Sequence, residues 1–224
     1  ATTVLFERFQ RVSVRRFFSD LRRRLDAVAG RRVPLSLNAT FYNPSQRTNY
    51  TADIVDFLQG ETWHMGLVDL AIPAKTAEAL GTWQVFVPKP RELRTARRGV
   101  AASYALGQLM LIPWDMYMGS DATGIRPRYY GTAEQYGDLF SFAKGNGRLL
   151  DGYESCAWAA VVVDLDHYDS GRARGVCQRL FDAQIPFRFV PVGSSYYPVS
   201  LDQTALSEVP LIVVACSEEE LPEA

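Results

Sequence analysis

Short apolar segments alternate with amphipathic helical segments along almost the whole chain of 224 residues. This alternation constrains the fold most, because a parallel sheet covered by helices is the arrangement that buries such segments. The predicted strands are residues 33–38, 53–57, 83–87, 109–112, 158–165, 187–192 and 210–216. The predicted helices are residues 4–28, 74–80, 91–106, 133–148 and 171–183. The sequence therefore predicts an α/β protein.

The first helical segment, residues 4–28, combines many arginines with apolar side chains at steps of three and four residues. This spacing predicts one apolar face, formed by Phe6, Phe9, Phe17, Leu21, Leu25 and Val28. Gly30 follows as a plausible C-terminal cap. A basic helix could also bind nucleic acid, but no aromatic-rich or glycine-rich binding loop accompanies it. We therefore interpret the arginines as a solvated helix face and expect no nucleic-acid partner.

A long loop at residues 116–132, rich in Gly, Tyr, Arg and Pro, interrupts the alternation. Together with the second strand-helix-strand set, it predicts two α/β units, residues 1–152 and 153–224. The first unit has four strands, whereas a closed barrel of this type needs eight. The second has three strands and so an exposed edge. We expect the chain to be truncated or one piece of a larger polypeptide.

The composition limits the partners of the chain. The net charge is −1 and no apolar run approaches the roughly 20 residues of a membrane-spanning helix, so we expect no membrane partner. Cys156, Cys177 and Cys216 are widely spaced and predict neither a disulfide framework nor a metal site. We expect no metal and no cofactor. The sequence leaves the compartment unknown, with a secreted or periplasmic location still open.

Several segments resemble a known family. They are "VPLSLN" ending at Asn38, Asp53-Ile54-Val55-Asp56, Ala77-Glu78-Ala79-Leu80-Gly81, and the helix and strand from Ala101 to Trp114. The chain resembles the clan-A glycoside hydrolases, and within them the β-galactosidase-like enzymes of family 42. The stretches "AQIPFRFVP" and "LSEVPLIVVA" are similar to parts of that family's flavodoxin-like trimerisation domain.

This resemblance implies that residues 1–152 are the C-terminal half of a (β/α)8 TIM-type barrel, with strands five to eight. Residues 153–224 would be a partial flavodoxin-like domain. The implied partners are a carbohydrate substrate, the missing N-terminal half-barrel (in the same or a separate chain) and further copies in a homo-oligomer. The family's acid/base glutamate would lie before residue 1. Its nucleophile would fall in Phe86-Val87-Pro88-Lys89-Pro90, where there is no carboxylate.

Barrel enzymes place their active sites at the carboxyl ends of the strands, so we sought candidates there. Glycoside cleavage typically uses two carboxylates, and Glu61 and Asp115 are the acids we predict to be catalytic. The predicted substrate-binding residues, which combine aromatic platforms with polar groups, are Asn38, Trp63, His64, Lys89, Trp114 and Tyr117. These assignments favour a glycosidase that acts on a poly- or oligosaccharide.

Two other functions stay open from the sequence. The missing carboxylate near Lys89 also fits a non-catalytic barrel that binds glycans or serves in assembly. Asp164 and Asp166 follow a buried strand, and carboxylates at such spacing can bind Mg²⁺ or Mn²⁺, as in a metal-dependent glycosyltransferase.

Overall fold

The computed structural model describes residues 2–38, 49–62, 66–88, 92–111, 133–150, 152, 155–165, 170–192 and 203–216. Its strands are β1 (Ser36–Asn38), β2 (Phe57–Thr62), β3 (Trp83–Pro88), β4 (Leu109–Met110), β5 (Ala159–Asp164), β6 (Phe187–Val192) and β7 (Leu211–Val214). Its helices are α1 (Thr2–Ala29), α2 (Leu67–Ala79), α3 (Leu93–Ala105), α4 (Ala133–Gly145), α5 (Gly147–Leu150), α6 (Ser170–Asp182) and α7 (Gln203–Ser207). The predicted α/β class is confirmed.

The first four strands form a parallel sheet in chain order, β1-β2-β3-β4. The register aligns Asn38 with Gln59, and Gln59 with Val85. The helices pack on one face of this four-stranded sheet, where Phe86 and Met110 form a core with residues of α2, α3 and α4. Leu58 lies on the same face and belongs to a cluster that includes Phe18 of α1.

The remaining strands form a three-stranded parallel sheet in the order β6-β5-β7. β5 lies in the centre, and all six of its residues are buried. Its neighbours pair with it on either side, so the chain crosses from one side of β5 to the other between β6 and β7. A reversal of strand order of this kind is typical of doubly wound α/β sheets.

Helix α2 packs against both sheets. Leu70 and Ala74 belong to the core of the four-stranded sheet, whereas Val68 and Ile72 belong to a core with β5, β6 and α6. Since apolar residues surround this helix on two sides, its sequence lacks the single apolar stripe of a surface helix. The predicted helix at 74–80 is therefore too short: the segment before Ala74, including Pro73, is helical as well.

The predicted strand at 53–57 is wrong in its position. Residues 52–56 form turns and a bend, and β2 begins at Phe57. The amide N–H groups of Ile54 and Val55 donate to the carbonyl of Thr51, which satisfies local backbone groups without a strand partner. The apolar residues Ile54 and Val55 stand between two aspartates, Asp53 and Asp56, whose side chains bind arginines.

These arginines lie on α1 and on the segment after it. Arg15 donates two hydrogen bonds to the carboxylate of Asp53, at 2.8 and 2.9 Å. Arg22 is buried, with 9% of its surface exposed, and pairs with Asp56. Arg32 Nε lies 2.7 Å from the other oxygen of Asp56. The expectation that the arginines form a solvated face is therefore wrong for Arg15 and Arg22.

The side of α1 that packs on the chain repeats at helical spacing through Arg11, Arg15, Phe18 and Arg22. Most of the predicted apolar face does not lie on this packed side. Its residues Phe6, Phe9, Phe17 and Val28 are 56%, 65%, 61% and 90% exposed. Only Leu21 and Leu25 of that predicted set are partly buried. Charge pairing with Asp53 and Asp56, rather than apolarity, decides which side of α1 faces inward.

Gly30 ends α1 with a φ of 64°, as the predicted cap requires. The proposed boundary between residues 152 and 153 stays a prediction. Within the described ranges, no helix has both the length and the apolarity needed to cross a membrane.

Candidate active site at the carboxyl edge of the four-stranded sheet

The carboxyl ends of β1, β2, β3 and β4 meet at one edge, because the four strands are parallel. Asn38 is the last residue of β1, and Glu61 is the last but one of β2. Side chains alternate between the two faces of a strand, and the register carries this alternation across the sheet. Asn38, Gln59 and Glu61 therefore project from the same face, opposite to the one that Leu58 and Phe86 bury under the helices.

This face, which we call the open face, is much more accessible than the helix-covered one. Trp83, Leu109 and Leu111 are 56%, 44% and 38% exposed, although all three are large and apolar. Asn38 is exposed, Phe57, Gln59, Glu61 and Val87 are partly buried, and Val85 in the middle of this face is 7% exposed. By contrast, Leu58 and Phe86 on the other face are fully buried. An accessible apolar area of this kind is typical of a surface that contacts another protein segment or a ligand.

Glu61 is the only ionisable side chain on the described part of the open face. It aligns with Val87 of β3, and the exposed amide of Asn38 lies on the strand to its other side. Standard strand spacing and rise put the Cα atoms of Asn38 and Glu61 about 8 Å apart. A carboxylate and an amide at this separation can both reach one sugar ring, and a carboxylate is a group that can serve as acid, base or nucleophile.

Gln59 is a polar residue of this edge that the sequence analysis missed. It aligns with Asn38 and lies two residues before Glu61, so it adds a second amide to the same face. The missed signal was the run Phe57-Leu58-Gln59-Gly60-Glu61, in which Phe57, Gln59 and Glu61 alternate onto the open side. The predicted strand at 53–57 ends before Gln59, whereas β2 includes it.

Among the residues predicted for the site, Asn38 and Glu61 are placed on the same face of the sheet. Six further predicted residues lie outside the described ranges: Trp63, His64, Lys89, Trp114, Asp115 and Tyr117. Their roles stay predictions. The end of β3 reads Phe86-Val87-Pro88, so the described part of this strand carries no carboxylate where the resemblance would put a nucleophile.

Asp164 of the alternative metal site ends β5 and is 2% exposed. Its predicted partner Asp166 lies outside the described ranges. Among the residues that the structure places, no three His, Cys, Asp or Glu side chains form a group that could hold a metal ion. The metal-dependent transferase accordingly stays a hypothesis from the sequence.

Comparison with known proteins gives one distant relative of interest. The chain is similar to an alpha-agarase of Alteromonas agarilytica, with 25% identity over 199 residues. The aligned part covers 78% of this chain but only 14% of the relative, so the chain spans a small part of that protein's length. No family model matches the sequence. No solved structure matches it either.

Proposed function

We propose that this chain is part of a glycoside hydrolase and that Glu61 is one of its catalytic carboxylates. The observation that carries the proposal is the position of Glu61 on the open face, at the carboxyl edge of a parallel sheet. In (β/α)8 barrel enzymes this edge, on the inner side of the sheet, is where the active site forms. The similarity to an alpha-agarase supports the same class of chemistry.

The four-stranded sheet would be the second half of such a barrel. Its strands are parallel, follow chain order and carry helices on one side, as barrel strands do. Four further strands would pair with the edges at β1 and β4 and cover Trp83, Leu109 and Leu111. The exposed stripe of α1 supports this, because Phe6, Phe9 and Phe17 would pack against the helix that precedes it in the barrel.

Thiol labelling tests the half-barrel. A Trp83→Cys variant in a Cys156→Ser background should label readily in residues 1–224 alone. In the natural full-length polypeptide we expect its labelling to slow by at least tenfold, because the new thiol at position 83 would face the barrel interior. Glu134→Cys, an exposed position on α4, is the matched control. Equal labelling of position 83 in both proteins would refute the half-barrel.

We further propose that the three-stranded sheet belongs to a flavodoxin-like domain and that the protein forms homo-oligomers through it. The strand order β6-β5-β7 is that of the first three strands of flavodoxin-like sheets. Ile212 and Val214 of the edge strand β7 are 49% and 43% exposed, as expected for a strand that pairs or packs further. Light scattering on the full-length protein tests the oligomer, and a monomer at micromolar concentration would rule it out.

The substrate that we propose is an agar-type polysaccharide or its oligosaccharides, by analogy with the relative. Asn38 and Gln59 offer amide donors and acceptors for sugar hydroxyls. The remaining substrate-binding residues of the proposal are those predicted from the sequence, namely Trp63, His64, Lys89, Trp114 and Tyr117. Asp115 is the proposed second carboxylate within this chain. Its distance from Glu61 would decide between retention and inversion, since the two mechanisms use separations of about 5–5.5 and 6.5–9.5 Å.

Substitution of Glu61 tests the catalytic role in the full-length protein, with agarose as substrate and reducing ends as the readout. Glu61→Gln keeps the shape of the side chain but removes its charge and its ability to exchange a proton. We expect kcat to fall by roughly 100-fold or more, the usual contribution of a positioned acid or base. Glu134→Gln, on the exposed side of α4, should leave kcat unchanged. Full activity of the Glu61→Gln variant would exclude the assignment.

One observation favours a second function, a non-catalytic barrel that binds glycans. The described end of β3 carries no carboxylate, so the family's usual nucleophile is missing there. A full-length protein that is retarded in agarose affinity gels but releases no reducing ends would support this alternative over hydrolysis.

A further inference from the structure

A cleft of 740 Å³ lies at the amino-terminal ends of the strands, away from the candidate active site. It opens between the last turns of α2 and α3, the segment that leads into β5, and the turn that leads into β6. The volume is within the range of about 300–1,000 Å³ that is usual for ligand sites. The residues that define its polar and apolar character are Lys75, Glu78, Gln108, Ser155, Ile185 and Arg188.

The charged groups of the cleft are paired with one another or with neighbours. Lys75 Nζ donates to Glu78 Oε2 at 2.7 Å and to Ser155 Oγ at 3.1 Å. Arg188 pairs with Glu208 at 3.1 Å. Since each of these cations already has a carboxylate, the cleft offers donors and acceptors without an excess of positive charge. This arrangement suits a neutral polar ligand better than an anion.

Gln108 provides a donor that is positioned for such a ligand. The residue is 6% exposed, and its Oε1 accepts the backbone N–H of Gln84 at 2.6 Å. This bond fixes the amide, so the Nε2 group is the one left to bind in the cleft. A ligand oxygen at this point would accept a hydrogen bond from Nε2 in place of water.

The rest of the lining is apolar. Leu106, Ile185 and Phe187 contribute to the wall, and Phe187 is held edge-on against Phe181 with ring centroids 5.6 Å apart. A site that combines apolar walls with a few fixed donors and acceptors matches a sugar ring, which has C–H faces and hydroxyl edges. Ions and purely apolar ligands each fit only part of this lining.

We propose that this cleft is a second, non-catalytic binding site for a neutral oligosaccharide. It goes beyond the proposed hydrolysis, because it lies at the opposite ends of the strands from Glu61 and contains no group that the proposed reaction needs. A site of this kind would hold a polysaccharide chain on the protein independently of cleavage.

Cys156 gives a reporter for the test, since it is exposed and lines the cleft, whereas Cys177 and Cys216 are buried. Burial also raises the pKa of the Cys177 thiol to about 12, so this residue reacts slowly. The experiment follows maleimide labelling of Cys156 in the full-length protein with and without neutral oligosaccharides prepared from agarose. We expect saturating oligosaccharide to slow the labelling at least threefold.

The blocking variant is Ala105→Trp, an exposed residue whose new side chain would fill the cleft. Ala101→Trp, one turn earlier on the exposed side of α3 and outside the cleft, is the matched control. Protection should disappear in Ala105→Trp and persist in Ala101→Trp. Labelling that oligosaccharide does not slow in the unmodified protein, or protection that survives in Ala105→Trp, would overturn the proposal.

The two proposals fail separately. Glu61→Gln should lower kcat by roughly 100-fold or more but leave the protection of Cys156 intact. Ala105→Trp should abolish protection while the rate on a short soluble oligosaccharide stays unchanged. Hydrolysis at the unmodified rate in Glu61→Gln overturns the catalytic assignment alone, and protection that survives Ala105→Trp overturns the cleft alone.

Discussion

Replacement of Arg22 by methionine tests the finding that charge pairing fixes α1 on the sheet. The guanidinium donates to the carbonyl of Ile54 at 3.2 Å and to Asp26 at 3.3 Å, and it also binds Asp56 and the carbonyl of Val33. Methionine keeps the aliphatic volume but removes every donor. The neighbouring Arg23 has a side chain that is 74% exposed and pairs with Asp20 on the same helix, so Arg23→Met is the matched control.

The magnitude follows from what each lost contact leaves behind. Removal of one partner of a buried pair costs about 3–5 kcal/mol, because the other charge stays buried. The Asp56 side chain is 26% exposed and would keep Arg32 at 2.7 Å and the N–H of Leu35 at 2.8 Å, which places the cost at the lower limit. We therefore expect about 3 kcal/mol for Arg22→Met and less than about 0.5 kcal/mol for Arg23→Met.

The assay is thermal and urea unfolding followed by circular dichroism. At this chain length 1 kcal/mol shifts Tm by about 2–4 °C, so Arg22→Met should lower Tm by about 6–12 °C. The reasoning would be refuted if the two variants had the same stability within about 0.5 kcal/mol, the usual effect of a surface substitution.

Three other predictions concern stability. Leu70→Ala and Ile72→Ala, on the two sides of α2, should each lower the free energy of unfolding by about 2–5 kcal/mol. Both should shift the same single unfolding transition. Two separate transitions, each shifted by only one of the variants, would contradict a shared core. Hydrogen bonds from Arg97 lower the pKa of Asp138 to about 2 from 3.8, so their stabilisation is present above pH 3.8 and lost as the pH falls towards 2. The Tm difference between the unmodified chain and Asp138→Asn should therefore shrink over that interval, and a constant difference would oppose the assignment. Gly81→Ala forces a side chain onto a backbone with φ of 66° and should cost about 1 kcal/mol in urea unfolding, whereas no loss would show that the helix end relaxes freely.

We also expect the contact between α1 and the segment before β2 to weaken at low pH. Burial acts to raise the pKa of Asp56, but hydrogen bonds from the Leu35 N–H, Arg32 and Arg22 outweigh it and leave the pKa lowered. The hydrogen bond from the Val33 N–H lowers the pKa of Asp26, with Arg22 adding to the effect. Both carboxylates thus stabilise the fold above their unfolded pKa and lose that contribution as the pH falls through the lowered values.

The sequence predicted an element best where a short apolar segment has a clear boundary. β6 was predicted at its observed limits, 187–192, because a segment that is apolar except for Arg188 follows Pro186. α2 was predicted only in part, since a helix packed between two sheets has no polar side to reveal its period. The inward side of α1 was missed because arginines paired with Asp53 and Asp56 face the chain, and pairing partners distant in sequence leave no periodic signal.

For the site, the sequence led to Asn38 and Glu61 because polar residues at the ends of parallel strands converge. It could not give Gln59, whose direction depends on where β2 begins. A shift of the strand by a few residues changes which side chains reach the open face. The sequence predicted that the barrel is incomplete. It did not predict the open face itself, because the sequence alone does not show which side of a sheet is left uncovered.

The most direct test of the central claim is rescue of a Glu61→Ala variant by a small carboxylate in the full-length protein. Release of reducing ends from agarose should fall by roughly 100-fold or more in this variant, the loss expected for a positioned carboxylate. Added sodium formate should restore part of the rate, because the space left by the side chain admits a formate ion. The account predicts loss followed by rescue; a Glu61→Ala variant that cleaves agarose at the unmodified rate would contradict it.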